Sequence, residues 1–97
     1  MNLEAFKLTL DQAGPPLVSL PLKALWHDAK GDWTGAHDLL QDDNTNEGAW
    51  VHAYLHRKEG DASNAAYWYR RAGKPVASGT LEDEWDAMAE ELLIGQQ

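Results

Sequence analysis

Apolar residues recur at helical spacing over most of the chain. Leu81, Trp85, Met88 and Leu92, with the neighbouring Ala89, form one stripe of a helix whose other face is acidic. Leu3, Phe6, Leu10 and Ala13 follow the same period, although FKLTL also alternates as a strand would. Breakers and caps divide the rest. AGPPLVSLP reads as a linker, with Ser19 as N-cap and Pro21 in the first turn of a helix reaching Lys30. A second helix is predicted from Asp32 to Gln41. The polar run QDDNTNEG then offers Asn44, Thr45 or Asn46 as cap for a helix ending near Glu59. Asp61 opens the next, which closes at Ala72 before Gly73 and Pro75, and Thr80 starts the last. The pattern predicts an all-α protein of six helical segments in one domain.

Two of these helix pairs repeat. LKALWHDAKGDWTGAH aligns with VHAYLHRKEGDASNAA at an offset of 29 residues, the separation of Gly31 from Gly60. Ala24 then matches Ala53, His27 matches His56, Asp32 matches Asp61 and Ala36 matches Ala65. Glycine ends a helix in the left-handed conformation and the following Asp caps the next, so each Gly-Asp marks a tight corner. The alanines fit where two helices approach closely.

This unit resembles the tetratricopeptide repeat, and GDASNAAYWYRRAGKP is also similar to its Sel1-like relatives. Ala62 stands where the family carries an aromatic, and the 29-residue period is shorter than usual, which implies short connections. The resemblance implies two helical hairpins, about 17–45 and 46–75, with 80–94 as a capping helix over the second. WVHAYLHRKEGD is also similar to a phrase of small uncharacterised bacterial proteins. In tetratricopeptide proteins the first helices line a peptide groove, which carries over as Glu47, Trp50, Tyr54, Arg57 and Lys58. Arg70 and Arg71 add a basic rim beside Tyr67. The function implied is non-catalytic binding of a protein or peptide partner.

Composition narrows the partners. Hydrophobic residues make up 43% and tryptophans number five, enough for a packed core. Sixteen acidic against eight basic residues give a net charge of -8, which disfavours nucleic acid and anionic membranes. Without cysteine there are neither disulfides nor thiol chemistry. Glu4, Lys7 and Asp11 interrupt the apolar start, so neither a leader nor a membrane span is expected and the cytoplasm is the default location. A homodimer through the C-terminal stripe is a further expectation, because two repeats are few for a stable stack.

The remaining chemistry is imidazole. His52 and His56, four apart, share one helix face and form a candidate metal pair, with His27, Glu59 or an acidic residue elsewhere as third ligand. Ala53 stands where a metallopeptidase helix carries its glutamate base, so the pair is not that motif. The preferred reading makes these core or interhelix histidines bonded to backbone or carboxylate, with no cofactor expected, and the metal site is the alternative. No serine sits in a nucleophile-elbow context and no glycine-rich phosphate loop occurs, so no catalytic residues are assigned.

Overall fold

The computed structural model describes residues 1–95, and among them it is all-helical. The helices are α1 (Leu3–Leu8), α2 (Leu20–Ala29), α3 (Trp33–Leu40), α4 (Asn46–Lys58), α5 (Ala62–Ala72) and α6 (Leu81–Gly95). The ambiguous N-terminal stretch is helical, with a 3-10 turn at Thr9–Asp11 following α1. Asn2 caps α1 by accepting from the Ala5 N–H, and Phe6 is fully buried, so the helical face prevails over the alternating one.

Local chemistry sets the boundaries. The Asp32, Thr45 and Asp61 side chains accept from the N–H groups of Gly35, Gly48 and Asn64 at the starts of α3, α4 and α5. Thr80 does the same for α6 through the Asp83 N–H at 3.0 Å. Both Gly-Asp corners close alike. Gly31 and Gly60 have φ of 84° and 89°, and the N–H groups of Asp32 and Asp61 each donate 2.9 Å to the carbonyls of His27 and His56. The recurring pattern is therefore a pair of equivalent helix ends. Ala36 and Ala65 are buried where each hairpin's second helix meets its first.

The larger core joins α1, α2, α4 and α6 around Phe6, Leu22, Leu25, Leu55, Trp85 and Met88. Each large apolar side chain buried there contributes about 1.5–3 kcal/mol. A smaller cluster of Ala53, Ala65 and Tyr69 joins α4 to α5. Helix α6 is placed differently from the expected cap over the second hairpin. It lies across α2 and α4, the first helices of both hairpins, and against α1. Trp85 fixes it there, stacking on Phe6 and donating its indole N–H to the Leu25 carbonyl at 3.0 Å. Its predicted stripe is thus buried along the inner surface of both hairpins. No described helix is long and apolar enough to cross a membrane.

Candidate functional site

Every residue of α4 from Val51 to His56 is buried, because neighbours cover both of its sides. One side carries charge. The Tyr54 hydroxyl donates to Asp28 Oδ2 at 2.9 Å and Lys58 Nζ meets Asp28 Oδ1 at 2.9 Å. Arg57 donates to Glu84 Oε1 at 2.8 Å and to the Gly79 carbonyl, while the Tyr69 hydroxyl donates to the other oxygen of Glu84. Both carboxylates are buried, Asp28 at 3% and Glu84 at 8% exposure. Burial and then the adjacent carboxylates raise the pKa of Tyr54 and Tyr69 far above the ordinary tyrosine range, the order for Tyr69 being burial followed by its bond to Glu84. Tyr54, Arg57 and Lys58, expected to face a partner, are thus committed to internal bonds that hold α2, α5 and α6 on α4.

Glu47 and Trp50 have a different setting. They line an open groove of about 730 Å³ at the other end of α4, with Leu20 and Pro21 of α2, Leu92 of α6 and the 42–46 loop. Lys74 reaches over the Trp50 ring, 4.3 Å from its centroid, and pairs with Glu91 at 2.8 Å. Arg70 and Arg71 are exposed on α5 away from this groove, with the Arg71 guanidinium 5.1 Å from the Trp68 centroid. The Trp50 groove therefore gathers two of the seven expected contact residues, Glu47 and Trp50.

On its second side α4 presents His52 and His56, stacked with ring centroids 5.0 Å apart. Their third histidine is His37 of α3. One ring nitrogen from each of the three lies within 4.8 Å of the others, and Nε2 of His52 is 3.0 Å from Nε2 of His37. His27 does not join them: it lies at the first Gly-Asp corner, against Trp26 and 3.7 Å from Asp32. Equivalence in the repeat puts His27 at the end of α2, whereas the position facing His52 belongs to α3. Glu59, the other expected third ligand, accepts from His56 Nδ1 at 2.7 Å. Trp33 stacks on His37 at 4.9 Å and Trp68 on His52 at 3.9 Å, so an indole flanks the cluster on each side. Burial first, then the neighbouring His37, His56 and Arg71, push the His52 pKa down to about 4. His52 is therefore neutral at pH 7 and has a lone pair to offer. A sequence signal for His37 existed only in retrospect: Trp33 and His37 are four apart on α3, the spacing of a shared face. Neither protein-family models, nor curated proteins, nor solved structures give a match to this chain, so both the groove and the histidine cluster are interpreted from their own chemistry.

Proposed function

We propose that the protein is a non-catalytic interaction module, built on two tetratricopeptide-like hairpins, that takes a short peptide segment with apolar and basic side chains. The observation that carries this reading is the groove beside Trp50. Its floor has apolar surface from Leu20, Pro21, Trp50 and Leu92, and Asp42, Asp43 and Glu47 supply carboxylates around it beside the Lys74–Glu91 pair. Lysine or arginine on the incoming segment would meet that charge, and the overall charge of -8 would steer a basic segment toward the protein. Half-buried tryptophan is well suited to the contact, offering a large rigid surface at little entropic cost. The groove along α2 and α4 that the repeat resemblance implies is filled by α6, which moves the proposed contact to the end of these helices. Arg57, Lys58, Arg70 and Arg71 are not part of it.

Fluorescence anisotropy with labelled twelve-residue peptides tests the reading. One set alternates leucine with lysine and a matched set alternates leucine with glutamate. The basic set is expected to bind, with affinity falling as salt rises, and Trp50→Ala should weaken it by roughly 30-fold, the loss typical of a tryptophan hot spot. Equal binding of both sets, or a Trp50→Ala protein that binds as the parent does, would overturn it.

A further inference from the structure

His37, His52 and His56 lie on the face of α4 opposite the ion pairs and outside the lining of the Trp50 groove. We propose that these three histidines form a site for a divalent transition-metal ion of the zinc class, with Glu59 and Gln41 orienting the ligands from behind.

Distance is the first argument. Two imidazole nitrogens bound to one tetrahedral zinc, with Zn–N bonds of ~2.0–2.1 Å, stand about 3.3 Å apart. The Nε2 atoms of His37 and His52 are 3.0 Å apart, so this pair needs only a slight opening to admit the ion. The third nitrogen, from His56, lies within 4.8 Å of both. Stacking of the His52 and His56 rings, at 18° between planes, keeps them side by side on one helix face.

Orientation is the second. Glu59 Oε1 accepts a hydrogen bond from His56 Nδ1–H at 2.7 Å, which leaves Nε2 of that ring with the lone pair. A carboxylate behind a ligating histidine fixes its tautomer and raises its basicity. Gln41 Nε2 lies 3.2 Å from His37 Nδ1 and holds that ring so that its Nε2 faces His52. One of the two facing Nε2 atoms carries the proton of their mutual bond. Metal entry requires both as lone pairs, so a proton carried by His37 moves to its Nδ1 and the Gln41 amide turns to present its carbonyl. No proton need leave the protein in that exchange.

Charge and access complete the case. His52 Nε2 bonds to His37 of α3, and the titratable and charged groups facing the His52 ring are His37, His56 from α4 and the Arg71 cation from α5. Three clustered imidazoles are costly to protonate together, whereas one dication shared by neutral rings satisfies all three. Glu59, bonded to His56, offsets part of its charge. His37 is half-exposed and gives the ion a way in. Three protein nitrogens leave a fourth position for water or a small anion, and a set of imidazoles without sulfur suits zinc, copper(II), nickel or cobalt(II).

The test uses the full chain without a histidine tag, stripped with chelator and titrated with zinc chloride by calorimetry, then with cobalt(II) followed by visible absorption. One ion per chain is expected, with tetrahedral-type cobalt bands, quenching of tryptophan fluorescence by copper(II), and a rise in melting temperature on zinc addition. His37→Gln and His52→Gln should each weaken zinc by more than the ~10–100-fold that loss of an outer partner costs, and Glu59→Gln should fall within that range. His27→Gln should bind as the parent does. His37→Gln is the decisive variant, because its half-exposed ring can be replaced without opening the core; circular dichroism verifies its fold. Absence of stoichiometric binding overturns the proposal. So does binding that survives His37→Gln but disappears in Glu59→Gln, which would place the ion on the His56, Glu59 and Asp61 group instead.

Discussion

Removing the Arg57 guanidinium should cost much more than the loss of a surface charge. Arg57 is one of the residues that sequence alone would assign to partner binding, yet it joins three helices. Its guanidinium lies 2.8 Å from Glu84 Oε1, the Glu84 side chain is only 6% exposed, and Tyr69 of α5 donates to the same carboxylate. In Arg57→Met the methylene packing is largely kept while the buried carboxylate loses its counter-ion. Breaking a buried pair from one side costs about 3–5 kcal/mol. Here the Tyr69 hydroxyl remains and Arg57 is itself 22% exposed, so about 2–3 kcal/mol is the appropriate figure. For a domain of this size that lowers the urea midpoint by roughly 2 M and the melting temperature by roughly 10–15 °C. Urea unfolding followed by circular dichroism measures it, with the slope m checked for constancy. Glu84→Gln removes the charge but retains a group able to bond Tyr69, so Arg57→Met combined with Glu84→Gln should recover at least about 1 kcal/mol relative to the sum of the single changes. An Arg57→Met midpoint within error of the parent, or strictly additive losses in the pair, would refute the account of Arg57 as an internal clamp.

Other perturbations address separate parts of the molecule. In chelator-treated protein, the depressed pKa of His52 means that the unfolded chain takes up a proton below pH ~6.5 while the folded chain resists until about 4. Stability from this group is present above 6.5 and is withdrawn down to about 4; at pH 5 the loss is about 1–2 kcal/mol, and unfolding curves of His52→Gln against the parent at pH 7 and 5 should show it as a smaller pH dependence. At the alkaline end, Tyr54 and Tyr69 keep their protons in the folded state, so stability should fall as pH rises past the ordinary tyrosine value of about 10. Phenolate absorbance from these two should appear together with unfolding, and its appearance in still-folded protein would contradict their burial. Gly31→Ala and Gly60→Ala place a side chain at φ of 84° and 89°, and each should cost about 1–2 kcal/mol by urea unfolding. Similar losses at the two positions are expected because both corners make the same bonds.

What the sequence revealed and what it concealed divide by range. Caps and corners depend on residues within a few positions of one another, so Asp32, Thr45, Asp61, Gly31 and Gly60 are legible as helix ends. The stripe of α6 is equally plain, but periodicity says that a face is buried without saying against what. The stripe alone thus fits a cap over the second hairpin, whereas α6 lies across the first helices of both. Arg57 and Glu84 are 27 positions apart and Tyr54 and Asp28 are 26 apart, so nothing local indicates that these charged and hydroxyl groups satisfy one another. Tyr54, Arg57 and Lys58 therefore read as free contact residues. The His52–His56 pair is visible because it lies within one helix. His37 comes from another helix, 15 residues earlier, and only the packing of α3 on α4 brings it near. Trp50 and Glu47 are candidates because the repeat resemblance puts α4 among the groove-lining helices, but the groove around them needs α2 and α6 as well.

Helix α6 also governs how the molecule comes apart. In a stack of helical hairpins each unit touches only its neighbours, and units can melt one after another. Here a single helix spans the first members of both hairpins, pinned by Trp85 to α2 and by Glu84 to α4 and α5. Neither hairpin can open without breaking contacts that the other needs. Amide hydrogens in α2 and α4 should thus exchange with one common opening energy, making two repeated halves a single cooperative unit.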